Sequence, residues 1–373
     1  MQRKSFPAGG GSGRGWYSTL GRLIGFGVGS LGLTLLLLYY GFSTISLSVL
    51  GAGWGLLAVM LIHVVQIAFT GAAWRAVLPR SPRPSVFVFL RLRWIREAVN
   101  ALLPVAQIGG PVVGARLLVR HRVPIGLAAA SATVDVTIEM VAQILFTLAG
   151  LALLVTRPHG HIAVSWVAAG LPMALLTVAG LIAAQRFGLL QLVERGLLRL
   201  AERWPALSLD RAKGLHEAAR AIHANRRGLL IGLTWHSLSW VLGAAEVLVA
   251  FAALGHPVGL RQAFVIESLG AALRGAGFAV PGALGVQEAA FIFVAAPFGV
   301  PPEMAIALSM VKRLRDLAFG IPGLTAWQWS EGHHLSIVAR SRAACPLNEG
   351  GTVVAIDPAP IAVASSSASE LMR

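Results

Sequence analysis

Asp135 and Glu139 stand four residues apart in a run that is otherwise almost wholly apolar, and Lys312, Arg313, Arg315 and Asp316 crowd a second such run. An ionisable side chain at the centre of a membrane helix costs about 2.5 to 3.5 kcal/mol on insertion scales, so it is kept with a partner or for a purpose. Residues at i and i+4 share a helix face. Asp135 with Glu139, and Lys312 with Asp316, are therefore paired on single faces. The first run is acidic where the second is mainly basic, so the two runs are expected to face and neutralise each other. Two chemistries stay open: a fixed ion-pair clasp, or a polar path for a headgroup, an ion or a proton.

A second group of residues interrupts helices. One stretch reads Leu-Leu-Pro-Val-Ala-Gln-Ile-Gly-Gly and contains Pro104, Gln107, Gly109 and Gly110; another reads Val-Pro-Gly-Ala-Leu-Gly-Val-Gln-Glu and contains Pro281, Gly282, Gly285, Gln287 and Glu288. Proline removes a backbone donor and glycine loosens the helix. A helix that starts after Pro281 points free N–H groups and its positive dipole end at the break, an arrangement that holds phosphate or carboxylate. Glu97, Asn100 and Arg116 flank the first break and Arg274 the second, and all these residues form the candidate headgroup pathway. The plainer reading is that the glycines allow close helix packing.

The elements that must position these groups follow from composition. The chain has 373 residues, 56% hydrophobic and 13% charged, with a mean hydropathy of +0.72. Soluble domains carry about 25% charged residues. Apolar runs long enough to span a bilayer cover 23–41, 52–73, 126–155, 163–184, 229–254 and 304–328. None alternates with a period of two, so a membrane barrel is not expected. The fold class is all-α: a polytopic membrane protein with six full spans and two re-entrant, Pro/Gly-broken hairpins at 85–120 and 260–298. Backbone broken at membrane depth is tolerated when it is buried in protein or lines a wet cavity. The alternative makes each hairpin a pair of full spans joined by a tight turn.

Net charge is +15, which in a membrane chain reads as the positive-inside rule rather than nucleic-acid binding. Lys and Arg number four in 1–22, nine in 74–124, nine in 185–228 and three in 328–373, while the 41–50 loop has none. This places both termini in the cytoplasm. The basic, amphipathic 185–228 loop should lie on the inner membrane surface. Residues 1–22, with an uncleaved first span after them, and 331–373 read as flexible tails.

The halves 52–184 and 229–328 look related. Pro104 and Pro281 differ by 177 positions; the same offset takes Asp135 to Lys312, Glu139 to Asp316 and Pro124 to Pro301. His63 and His236, then Glu97 and Glu267, match more loosely. Charge places the two halves in opposite orientations, as in many secondary transporters. The 23–41 span lies outside the repeat, and Gly21, Gly25 and Gly29 have the GxxxG spacing of a packing face.

Other chemistries lack their motifs. There is no phosphate-binding GxxxxGK[ST] and no DDxxD, and Arg220 stands where a zincin pattern beginning at His216 needs histidine. Neither a metal, a cofactor nor a catalytic residue is assigned. Cys345 is alone, so no internal disulfide forms.

Leu103-Pro104 through Gly110, the acidic span with Asp135 and Glu139, Pro281-Gly-Ala-Leu-Gly-Val-x-Glu288 and Lys312-Arg313-Leu-Arg315-Asp316 resemble the flippase-like transmembrane domain of lysylphosphatidylglycerol synthases. The run from Arg93 to Gly110 and that from Val311 to Trp327 look like the hopanoid-biosynthesis-associated inner-membrane family. The resemblance covers about residues 20–330, with Ala283 where the wider family commonly has glycine. The short stretch after the last span leaves no room for the aminoacyl-transferase domain of true synthases. The resemblance thus implies a lipid-handling unit of the bacterial inner membrane without that enzymatic activity, acting on anionic or hopanoid lipids. Its rivals are a secondary transporter of a small ion or solute, and an intramembrane lipid-modifying enzyme using Asp135, Glu139 or Glu288 as acid or base.

Overall fold

A computed structural model of the chain describes residues 49–80, 83–103, 109–155, 215–276 and 280–343. The expected spans 23–41 and 163–184, the whole 1–22 tail, residues 344–373 of the other tail, most of the 185–228 loop, Pro104 and Gln107 lie outside the described residues. Every regular element among the described residues is a helix. The chain divides into two units, Met1–Trp327 and Gln328–Arg373. The described part of the second is the end of the last helix, which runs to Ala343.

Among the described residues, three helices are long and apolar enough to cross a membrane: α1, Trp54–Val77; α4, Ile125–Val155; and α6, Arg226–Ala253. They coincide with the expected spans at 52–73, 126–155 and 229–254. The span expected at 304–328 opens the long helix α9, Pro302–Ala343, in which Lys312 and Arg315 are buried. Apolar side chains such as Leu61, Leu230 and Phe293 are exposed while Asp135, His236, Glu246 and Glu288 are buried. This distribution suits helices whose outer surface meets lipid and whose polar groups satisfy one another inside.

Helices α1 and α6 run antiparallel. Gly55 lies on Ala253 near one end, and Gly232 lies on Val77 and Ala73 near the other. Between the long helices the chain makes two helical hairpins: α2, Val86–Leu102, with α3, Gly109–Val119; and α7, Leu260–Ala276, with α8, Val286–Ala295. Phe89 and Leu92 of α2 pack with Leu117 and Leu118 of α3 beside Trp74 and Leu78 at the end of α1. Ala263 and Ile266 of α7 pack with Phe291 and Val294 of α8 beside Val59 of α1 and Phe251 of α6. The hairpins therefore open toward opposite ends of the α1–α6 pair. A short helix, α5, Leu215–Ala224, seats Ala219 and Ile222 against Val77, Ala130, Val134 and Ile138.

Among the described residues the order of the α-helices is the same on each side of α5: a long apolar helix, a 17-residue helix, a break, a short helix, and a long helix with proline at its start. Contacts between the two sets are also matched. Gln66 Nε2 donates to the Ser239 carbonyl at 3.3 Å, and Ser239 Oγ donates to the Gln66 carbonyl at 3.4 Å. Helix α4 meets α7 where Thr147 Oγ1 donates to the Ser268 carbonyl at 3.5 Å, and α9 meets α2 where Trp94 Nε1 donates to the Phe319 carbonyl at 2.9 Å. Glycine permits both crossings: a Cβ at Gly150 would fall 1.7 Å from Ser268 Oγ, and one at Gly323 would fall 2.6 Å from the Ala98 Cβ.

Candidate functional site

Helical spacing gathers the charged residues. Arg93, Arg96, Glu97 and Asn100 follow i, i+3, i+4, i+7 on α2, so they share a face; His236, Ser239, Gly243 and Glu246 likewise lie along one side of α6. The first buried cluster joins α2, α4 and α6. Arg93 grips Glu139 through both terminal nitrogens, at 3.0 and 2.5 Å. Arg96 Nη1 donates to Asp135 Oδ2 at 2.5 Å and Nη2 to Glu139 Oε2 at 3.2 Å. His236 Nε2 lies 3.0 Å from Asp135 Oδ1. The Arg96 guanidinium also lies over the Trp74 ring, an arrangement in which the ring face attracts the cation.

The second buried cluster joins α6, α7 and α9. Arg315 Nη1 lies 2.6 Å from each oxygen of Glu246, and its Nη2 donates to Asp316 Oδ1 at 2.7 Å. Lys312 Nζ lies 2.9 Å from Glu267 Oε2 and 3.6 Å from Glu246 Oε1. The acidic and basic runs at 135–139 and 312–316 thus do not neutralise each other, as their charges alone suggest. Asp135 and Glu139 are answered by α2, and Lys312 and Arg315 mainly by α6 and α7. Each charge instead finds its partner on a different helix: Arg93 and Arg96 of α2 reach across to α4, while Glu246 of α6 and Glu267 of α7 reach α9.

The expected anion site after Pro281 is filled by the chain itself. Gly282, Ala283 and Gly285 have φ of +63°, +46° and +77°, which turns the backbone sharply into α8. Glu288, three residues into the turn, accepts the Gly285 N–H at 2.8 Å. It also accepts Ser309 Oγ at 2.8 Å and Arg313 Nε at 2.7 Å, while Arg313 Nη1 reaches the Gly282 carbonyl at 3.2 Å. Gln287 donates to Ser309 and weakly accepts from Arg274. In the first hairpin Asn100 plays the matching part: its Oδ1 accepts the Gly110 N–H at 2.9 Å. Gly109 lies beside it, half-buried at the start of α3. A Cβ at Gly110 would sit 2.4 Å from the Arg96 carbonyl. Arg116 is exposed on α3 and does not line the central cavity.

That cavity has a volume of about 130 Å³ and touches both clusters: His63, Arg93, Glu97, Glu139, His236, Glu267, Arg274, Lys312 and Arg315 line it with Gln66, Thr70, Ser239 and Trp240. His63 Nε2 lies 3.6 Å from Glu97 Oε1, and its Nδ1 lies 3.1 Å from Gln66 Oε1. Asp135, Glu139 and His236 bring ligand atoms within 4.8 Å of one another. Arg93 and Arg96 already balance the two carboxylates, so the field there does not draw in a further cation. Sequence reasoning assigns Glu97, Asp135, Glu139, Arg274, Lys312 and Arg315 to the site; the structure brings all of these but Asp135 to one cavity, and Asp135 is buried against His236, which lines it. It passes over Arg93, Arg96, His236 and Glu246 as site residues. Glu246 is the sole acid in the 229–254 run, and that isolation is a readable signal.

The family model for the lysylphosphatidylglycerol synthase TM region matches residues 22–323. The chain belongs to that family. It is a family of membrane domains, in keeping with the three long apolar helices. Comparison with curated proteins and with solved structures returns no significant match. The matched region contains both hairpins, both charge clusters and the central cavity.

Proposed function

We propose that the chain is a flippase-like lipid translocase or lipid transport factor of the bacterial inner membrane, with both termini cytoplasmic and no enzymatic activity of its own. The observation that carries this reading is the polar cavity of about 130 Å³, lined by groups from both sets of elements. In this reading the two sets are an inverted repeat, six full spans surround two re-entrant hairpins, and the cavity lies near the pseudo-two-fold axis. The reciprocal hydrogen bonds of Gln66 and Ser239 support an axis, because in a self-complementary contact each residue meets the other's equivalent. The opposed openings of the hairpins support inversion. Family membership supports a lipid as cargo, with hopanoids or their polar derivatives as one candidate. A headgroup would pass between the clusters while the tails stay in the bilayer, driven by a gradient or an existing lipid imbalance.

The test is leaflet-resolved lipid movement in proteoliposomes holding the full chain. Headgroup-labelled lipids of several classes should equilibrate across the bilayer faster than in protein-free vesicles, and Glu246→Gln should slow this. Unchanged leaflet distributions for every lipid class sink the reading.

A specific observation favours a second reading. The cavity has room for several waters, and His236, which bonds Asp135, lines it with Nδ1 buried and unpartnered. Movement of protons or small ions fits that volume. Ion flux without lipid movement in the same vesicles would select it. The enzymatic reading is the least favoured, because arginine holds each carboxylate offered as acid or base: Asp135, Glu139 and Glu288.

A further inference from the structure

A larger cavity, of about 690 Å³, shares no lining residue with the polar one. It lies between the end of α1, the α1–α2 turn and the start of α6. Four arginines line it: Arg75, Arg80, Arg83 and Arg227. Among the described residues no carboxylate pairs with any of the four. Arg75 Nε donates to the Pro84 carbonyl at 3.1 Å, and Arg83 Nη2 donates to the carbonyls of Ala76 and Leu78. These bonds fix both guanidinium groups yet leave their charge uncompensated. Arg83 Nε is buried without a hydrogen-bond partner. Burial first, then the charges of Arg75 and Arg80, pull the Arg83 guanidinium below its ordinary range. The repulsion is held in place by the fold: Gly228 lets the start of α6 close onto α1, since a Cβ there would lie 2.6 Å from the Ala76 carbonyl.

The rest of the lining is of a different kind. Ile231 and Trp235 of α6, with Ala72 and Val86, give the cavity an apolar wall. Ile231 is exposed on the outer side of α6, next to the still more exposed Leu230. One concave surface therefore offers cations at one end and a lipid-facing apolar wall at the other. A free anion would use the first and leave the second wet. An amphiphile uses both. Arginine is the side chain whose planar fork matches phosphate oxygens two at a time, and arginines at a membrane surface attract anionic lipid.

We infer that this cavity is a binding site for an anionic phospholipid, with the phosphate among Arg75, Arg80, Arg83 and Arg227 and the chain origin against Ile231 and Trp235. The site is separate from the proposed translocation path, and its occupancy at equilibrium does not require lipid movement.

The full chain in mild detergent, incubated with equal phosphatidylglycerol and phosphatidylcholine, is analysed by native mass spectrometry. Phosphatidylglycerol should be retained in preference to phosphatidylcholine, and millimolar inorganic phosphate should not displace it. Arg80 and Arg227 are exposed, so the R80Q/R227Q pair should fold normally. It should weaken retention at least about tenfold, from roughly 1 kcal/mol per cation near a membrane surface. R80K/R227K keeps the charge and should keep the preference. Equal retention of the two lipids, or unchanged retention in R80Q/R227Q with an unchanged melting curve, overturns the assignment. Displacement by inorganic phosphate overturns it in favour of a free-phosphate site.

Discussion

At the scale of single residues, the interior is held by charges whose partners are specific. Asp135 is fully buried between Arg96 and His236. Removing one member of such a group leaves the other charged and unsatisfied, which typically costs about 3 to 5 kcal/mol. Asp135→Asn should lower stability by that order, seen as a fall in melting temperature of the purified chain. Adding Arg96→Gln should cost less than the sum of the two single changes, since neighbours in one network are not additive. Ala283 gives the opposite expectation. It holds φ of +46°, where a side chain bearing Cβ is strained by about 1 to 2 kcal/mol. Ala283→Gly should raise the melting temperature, even though glycine elsewhere in the chain weakens a helix.

At the scale of elements, sequence legibility divides along a physical line. The long apolar helices are plain in composition, because lipid demands a continuous run of apolar residues. The two breaks are plain in Pro and Gly, because these act on the backbone directly. Which charge meets which is not plain. Arg93 and Arg96 stand in a stretch already rich in arginine, where the topology rule accounts for them without any partner. Only the three-dimensional register of α2 against α4 sets them beside Asp135 and Glu139. The function of Glu288 is hidden for a related reason: a carboxylate early in a helix reads equally as part of a ligand site or as the group that closes it, and here it closes it. The helix crossings carry their own prediction. Gly150→Leu forces α4 away from Ser268 and should abolish the folded, monodisperse species on size exclusion in detergent. Gly51→Ala, where nothing lies within 4 Å of a new Cβ, should leave it intact.

For the molecule as a whole, the arrangement of α1 and α6 gives two geometric expectations. In a Cys345→Ala background, Gln66→Cys with Ser239→Cys should crosslink with a short thiol-reactive spacer, since each residue bonds the other's backbone. A pairing of α1 and α6 in any other register would leave the two thiols unlinked. Arg80 and Pro257 lie at opposite ends of α6's antiparallel partnership, and both are exposed. Arg80→Cys and Pro257→Cys, tested one at a time with a membrane-impermeant thiol reagent, should label from opposite sides of sealed vesicles. Labelling of both from one side would remove the transmembrane placement of α1 and α6.

Helix α6 supplies His236 to one charge cluster and Glu246 to the other. Ten residues of helix separate them, a strut about 15 Å long whose backbone hydrogen bonds resist stretching. Neither cluster can be pulled apart along that axis while the other stays at rest. A rearrangement that frees Asp135 by sliding α6 must also drag Glu246 across Arg315, so the two ends of the strut open and close as one lever.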